Sequence, residues 1–439
     1  MFDVLANRTY RHLFFAQVLA LIGTGLATVA LSLLAYDLAG ADAGAVLGTA
    51  LAIKMIAYIG VAPIAAAFAE RLPRRAMLVA LDVARATVAL LLPFVTQVWQ
   101  IYVLIFVLQS CSAAFTPTFQ ATIPDVLPEE KDYTKALSLS RLAYDMESLV
   151  SPALAAVLLT VVSYHQLFGG TVAGFLASAA LVVSIVLPKA VPPPRRGIYE
   201  RTTRGMRIYL ATPRLRGLLA LNLAIAAGSA MVIVNTVVLV QASLGLTQNA
   251  TAMALAAFGA GSMLVALALP KLLERLPERR VMLGGAGLIA AGLLVGGLAA
   301  RSYAALVPLW FVLGLGYSLA QTPSGRLLRR SSRSVDRPAL FAAQFALSHA
   351  CWLITYPLAG WLGAKLGLTA SFIALGVLAS AAVLLASRLW PSEEPEQLEH
   401  RHDELAPAHP HVAGAAAEAG GPRHSHAYVI DDDHPRWPS

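Results

Sequence analysis

The stretch that decides the fold runs from Ala66 to Arg85, AAFAERLPRRAMLVALDVAR. In it one apolar run ends in Glu70-Arg71, the chain turns at Pro73-Arg74-Arg75, and a second apolar run begins. The second half of the chain carries the same turn with one residue inserted, Glu274-Arg275-Leu276-Pro277-Glu278-Arg279-Arg280-Val281-Met282-Leu283, again between two apolar runs. A charged turn that recurs half a chain apart marks a duplicated membrane bundle, the parallel-repeat plan of one large class of transporters.

Composition agrees. Hydrophobic residues make up 57% of the 439 and charged residues only 13%, whereas a soluble domain carries about 25% charged residues. Apolar runs of about 20 residues are long enough to cross a ~30 Å hydrocarbon core as helix. Such runs fall at 13–39, 44–69, 76–96, 99–123, 136–162, 166–187, 217–243, 249–269, 281–300, 303–322, 339–364 and 368–389. The expected fold class is therefore an all-α polytopic membrane protein with twelve transmembrane helices in two six-helix bundles. Residues 1–190 form the N-terminal bundle, 191–213 a basic cytoplasmic linker, 214–391 the C-terminal bundle and 392–439 a disordered histidine-rich cytoplasmic tail.

A net charge of +8 would suggest nucleic acid for a soluble protein, but its distribution reads as topology. With the N-terminus inside, one side receives Arg8, Arg11, Arg71, Arg74, Arg75, Lys131, Lys135, the basic linker, Lys271, Arg275, Arg279, Arg280 and the arginines from Arg326 to Arg337. The other side keeps only Arg301 and Lys365. This is the positive-inside pattern, with both termini cytoplasmic and no nucleic-acid partner. The first apolar run, preceded by Arg8 and Arg11, reads as a helix that stays in place rather than a cleaved signal. Cys111 and Cys351 both fall inside predicted helices, so no disulfide framework is expected. No phosphate-binding loop or hydrolytic constellation occurs, which argues against an ATP-driven pump and against an enzyme.

Charge inside a spanning helix is expensive unless it faces water or a partner, so each instance is a candidate. Lys54 sits about ten residues into its run, where it either snorkels outward or pairs with a carboxylate across the bundle. Asp82 and Arg85 share a helix face at i, i+3 and can pair with each other or with the turn. The run at 136–162 is the most polar. Its Arg141 and Asp145 can pair at i, i+4, which leaves Glu147, about 200° further round, without its own partner. His349 is the histidine placed within a span; a helix-to-helix hydrogen bond is its plainer role and a ligand its sharper one, and Cys351 nearby adds a little to the second.

The turn between the second and third runs resembles the hallmark of the major facilitator superfamily, Gly-x-x-x-Asp-Arg-x-Gly-Arg-Arg. Ala66 stands for its first glycine, Glu70 for the aspartate and Pro73 for the second glycine, while Arg71, Arg74 and Arg75 match. Asp82-x-x-Arg85 resembles the continuation in exporter branches. The resemblance implies a gating latch between the bundles for Glu70, Arg71, Arg74, Arg75, Asp82 and Arg85. Proline supplies neither the amide nor the positive φ that glycine would, which weakens that geometry.

After Trp390-Pro391 the chain turns polar and rich in Pro, Gly and Ala, a composition that cannot bury a core. It holds seven of the ten histidines, His400, His402, His409, His411, His424, His426 and His434, with Asp431, Asp432 and Asp433 near its end. Alternating histidines on a flexible strand suit Ni²⁺, Co²⁺, Zn²⁺ or Cu²⁺; the bland alternative is a solvated tail. With the polar helix around Asp145 and Glu147, this tail resembles the nickel-resistance branch of the superfamily, bacterial inner-membrane exporters with histidine-rich carboxyl ends. The resemblance implies a proton-coupled antiporter for Ni²⁺, with Co²⁺ as a second substrate. Its translocation path would be Asp145, Glu147, Arg141, Lys54 and His349, and the tail histidines would collect metal. The other reading is a drug or siderophore exporter of the same fold. Expected partners are the lipid bilayer, protons and a small cation or small molecule. No cofactor beyond the transported cation is expected, and the chain is expected to be monomeric.

Overall fold

The computed structural model describes residues 2–69, 73–187, 198–299, 302–333, 336–392, 397–401, 423–426, 428–431, 433–434 and 436–437. Within these segments some helical side chains, Arg141 and Asp145 among them, lie outside the described residues. The chain is a succession of long helices. The first six are α1 (Arg8–Ala39), α2 (Ala43–Ala69), α3 (Arg74–Leu91), α4 (Val98–Val126), α5 (Glu130–Leu158) and α6 (Tyr164–Val183). After α7 (Ile198–Ala211) come α8 (Pro213–Val237), α9 (Gln248–Arg275), α10 (Glu278–Ala299), α11 (Tyr303–Gln321), α12 (Ser324–Arg330), α13 (Arg337–Leu366) and α14 (Leu368–Leu389).

Polar caps close the helix ends between apolar runs. Asn7, Thr247 and Ser302 accept backbone N–H groups at the starts of α1, α9 and α11, and capping boxes start α4 at Gln97 and α6 at Ser163. Gly367, at φ 87°, makes the one-residue corner between α13 and α14, a conformation that glycine adopts without a Cβ penalty.

By length and composition alone, ten stretches among the described residues can cross a membrane, of which Arg8–Val61 holds both α1 and α2. Helix α5, 29 residues long, is as long as its neighbours but carries too much charge to be found by hydropathy. With α2 and α5 counted separately the membrane-length helices number twelve, as the run lengths predict.

Packing repeats between the halves. In the first, α1 packs on α5 and α6, α2 on α4, and α3 on α4 and α6. In the second, α8 packs on α13 and α14, α9 on α11, and α10 on α11 and α14. Each of these pairings in one bundle has its counterpart in the other, so the duplicated turn does mark a duplicated architecture. The bundles meet through α2 against α13 and α5 against α9, two contacts that the same pseudo-two-fold exchanges. Helix α8 is buried over nearly its whole length, while α9, α10 and α14 turn residues such as Leu267, Leu298 and Leu384 outward, where lipid solvates them.

At the end of the molecule away from the basic turns, α2 and α13 touch at backbone distance. A Cβ on Gly360 would sit 2.1 Å from the Gly44 carbonyl, and one on Gly48 2.5 Å from that of Tyr356. Trp361 Nε1 donates to Thr49 Oγ1 at 3.1 Å across the same seam.

Two stretches carry structure that their composition does not announce. The stretch read as a linker contains α7, whose Ile208 and Tyr209 are fully buried; Gly205 lets its backbone approach Ala339 of α13, and Arg204 pairs with Asp336. The tail read as disordered contains, among its described residues, β1 (Leu398–Arg401) and β2 (Arg423–His426), paired antiparallel. Beyond them Ile430, Asp431 and His434 are buried. Composition argued for solvation because it counts few apolar residues; among those described, Tyr428, Ile430 and Trp437 pack against the main core.

Candidate functional site

Halfway along the α2–α13 seam, side chains from three helices meet. Tyr58 of α2 stacks on His349 of α13, with ring centroids 5.4 Å apart and planes 11° from parallel. Phe345 lies 3.8 Å from His349 and 5.8 Å from Tyr58. Trp352 meets His349 edge-on at 5.8 Å and donates Nε1–H to Ser229 Oγ of α8 at 2.8 Å. Lys54, one turn before Tyr58, places its ammonium 5.9 Å from that ring, a cation–π contact in the seam itself.

Glu147 of α5 reaches the same chamber from the other side of the N-terminal bundle. Gly25 of α1 makes room for it: a Cβ there would collide with Ser151 and touch Glu147 Oε1 at 3.4 Å. The charges of Glu147 and Lys54 act on each other, as do those of Lys54 and His349, yet among the described residues no direct ion pair joins Lys54 and Glu147. All three side chains are half-buried rather than sealed. Among the described residues the chamber thus holds one carboxylate, one ammonium and one imidazole in an aromatic setting.

His349 has a defined tautomer. Its Nδ1 lies 2.7 Å from the Phe345 carbonyl one turn back, and a carbonyl oxygen can only accept. Nδ1 therefore carries the proton, and the neutral ring keeps its lone pair on Nε2, the nitrogen free to act as a ligand or proton acceptor.

Of the other predicted path residues, the side chains of Arg141 and Asp145 lie outside the described residues. So do Glu70 and Arg71 of the turn. The described contacts of Arg74, Arg75, Asp82 and Arg85 lie in their own bundle. Arg74 pairs with Asp125 at the end of α4, and Arg75 donates to the Val183 carbonyl at the end of α6. Asp82 and Arg85 pair with each other; Asp82 also accepts from Ser178 Oγ of α6 at 2.7 Å. The Arg85 guanidinium lies between the rings of Phe115 and Phe175, 4.2 and 4.5 Å away. This group is buried and ties α3 to α4 and α6.

The second half repeats these ties. Arg279 donates to the Ser387 and Trp390 carbonyls at the end of α14, both at 2.9 Å, as Arg75 does to α6. Glu278 pairs with Arg326 just past α11, at 2.7 Å, as Arg74 does with Asp125 past α4. The geometry is kept and the charges are reversed.

In the tail, the β1–β2 register sets His400 opposite His424. His426 and His434 stand with ring centroids 5.0 Å apart, and His434 Nδ1 lies 2.8 Å from Asp431 Oδ1. His402, His409 and His411 lie outside the described residues. Among the described residues no three side chains of His, Cys, Asp or Glu converge as a metal site.

Sequence reasoning missed Tyr58 and Phe345, the Asp125 and Arg326 partners, and Trp437. For Tyr58 a signal existed: it falls at i+4 from Lys54 and so shares its helix face.

The profile of the Major Facilitator Superfamily matches residues 13–234 and 218–419. The chain is 29% identical over 128 residues to the uncharacterized MFS-type transporter YfiS of Bacillus subtilis (strain 168), covering 29% of this chain and 30% of that one. It is 26% identical over 153 residues to macrolide efflux protein A of Streptococcus pyogenes, covering 32% and 38%. The chain therefore spans about a third of the length of these curated relatives. Among solved structures, a bacterial homolog of the human lysosomal transporter Spinster, inward-facing and unoccupied, superposes with a TM-score of 0.64 at 14% identity, over 87% of this chain and 97% of that one. A D-xylose–proton symporter superposes with a TM-score of 0.63 at 15% identity, over 89% and 98%.

Proposed function

The chain belongs to the Major Facilitator Superfamily, and we propose that it is a secondary transporter that exports a transition-metal cation, Ni²⁺ with Co²⁺ as second substrate, in exchange for protons. It would do so across a bacterial inner membrane, with the basic end and both termini cytoplasmic. The observation that carries this reading is the strand pair of the tail. Its register pairs His400 with His424 along the backbone, and histidine is a residue type suited to Ni²⁺ and Co²⁺.

In the chamber, Glu147 is the group that cation and proton would occupy in turn, with His349 Nε2 as a second donor. Lys54 supplies the reason for strict exchange. Its ammonium competes with any cation for the Glu147 charge, and a proton that neutralises this carboxylate removes the charge that holds the cation. A single group that serves both ions in turn gives antiport as the bundles rock about the α2–α13 and α5–α9 contacts. The test is uptake of radiolabelled Ni²⁺ into inverted membrane vesicles with and without an imposed pH gradient. Gradient-dependent accumulation is expected, and uptake no higher than in vesicles lacking the chain refutes the reading.

A second reading, export of amphipathic organic compounds, is favoured by the rings of Tyr58, Phe345, His349 and Trp352 lining the chamber and by the partial match to a macrolide efflux protein. Glu147→Ala, scored for metal and macrolide tolerance side by side, separates the two.

A further inference from the structure

The last described residues of the chain form a compact knot on the C-terminal bundle. Asp431 Oδ1 accepts the backbone N–H groups of Asp433 and His434 at 2.9 and 2.8 Å, and the Asp431 N–H donates back to the His434 carbonyl at 3.2 Å. Tyr428 Oη closes the knot on the Arg436 carbonyl at 2.7 Å. The Tyr428 ring packs edge-on against His434 at 4.6 Å and Trp437 at 5.1 Å. Ile430 and Asp431 are each 1% exposed, so this is a seated peptide and not a passing contact.

Its seat is basic. Arg333, in the turn between α12 and α13, pairs with Asp431 Oδ2 at 2.6 Å and approaches Asp433 at 3.9 Å. Arg214, in the first turn of α8, lies 5.2 Å from the Trp437 ring centroid. Arg214 is itself fixed, donating to Ser331 Oγ at 2.8 Å and to the Arg330 carbonyl at 3.3 Å. One acidic and one aromatic anchor on the peptide thus meet two arginines borne on different elements. Burial of Ile430 in the main core supplies apolar area between them.

We propose that this seat on α8 and the α12–α13 turn is a receptor for the chain's own acidic-aromatic carboxyl end, and that the seated peptide is a strap holding the turn against α8. The tail is then a loop fixed at both ends, at Trp390 and at 428–437, and not a free extension. The turn that the strap restrains follows α12, whose Arg326 pairs with Glu278, and ends at Asp336, which pairs with Arg204, so the strap acts on the ties that hold the basic end of the C-terminal bundle together. The inference does not depend on which substrate the transporter carries.

The test is hydrogen exchange of the full-length protein in detergent, read at 428–434 and at 331–336. Asp431→Ala and Arg333→Ala should each speed exchange in both segments by tenfold or more while gel filtration shows an unchanged monodisperse peak. The conservative Arg333→Lys should retain much of the protection, and Trp437→Ala should give a partial loss. Exchange of 428–434 in the native chain at the rate of a free peptide overturns the seat. Loss confined to 428–434, with 331–336 unchanged, overturns the strap.

Discussion

In the proposed exchange Glu147 and Lys54 act through their charges, and each has a distinct expected effect. Glu147→Gln keeps the shape of the side chain and removes its charge. Proton-driven uptake should fall by about tenfold or more, because a neutral amide neither carries the proton nor balances a cation. Lys54→Gln should leave binding intact and uncouple it, so that uptake persists when the pH gradient is collapsed; both are read in the same vesicles. His349→Ala removes the Nε2 lone pair and should raise the half-saturating cation concentration by about tenfold, whereas a purely structural histidine would show up as lost protein. Glu147 was legible because a carboxylate in a spanning helix stands out against its neighbours. Tyr58 and Phe345 were not, since an aromatic residue in an apolar run reads the same whether it faces a chamber or lipid. Phe106, 45% exposed on α4, shows how little the residue type decides.

The helices themselves were legible for a simple reason: only an apolar run of about 20 residues can cross the hydrocarbon core with its backbone satisfied. The short elements follow no such rule. Helix α7 is amphipathic and basic, and its one buried face depends on α13, which lies far away in sequence. The strand pair of the tail depends on a partner more than twenty residues off. Two ties can be tested at this scale. Arg74→Ala should destabilise the N-terminal bundle by about 1–3 kcal/mol, visible as a lower midpoint in a thermal scan, with recovery on exchanging the charges of Arg74 and Asp125. At the other end of that bundle's basic face, Lys135 Nζ donates to Asp3 Oδ2 at 2.5 Å and holds this carboxyl well below its ordinary value of 3.8. A carboxyl depressed on folding contributes above the ordinary value and loses its contribution as pH falls through the lowered one. The tie should therefore be constant from pH 5 to 8 and weaken only in strong acid, which the ¹³C shift of the Asp3 carboxyl will follow.

For the molecule as a whole, the repeated pairings of α1–α6 and their counterparts mean that two stiff bodies meet along two equivalent seams. The seam between α2 and α13 closes on Gly48 and Gly360, where any Cβ meets backbone and not a movable side chain. Gly360→Ala should hold the bundles apart at that end and bias the protein toward the state open there. Alkylation of a cysteine introduced at Ala45 should become faster, and an unchanged rate would show that the glycine contact does not limit closure.

The ties past α4 and α11 also bear on how the chain assembles. Arg74 seeks Asp125, while its counterpart Glu278 seeks Arg326. Had both halves used the same polarity, a newly made α10 could have docked beside α4, already waiting in the bilayer. With the signs opposed, that error would set Glu278 against Asp125 and Arg74 against Arg326, and like charges would push the mismatched helices apart. The inverted sign thus disfavours pairing an element of one half with the partner meant for the other.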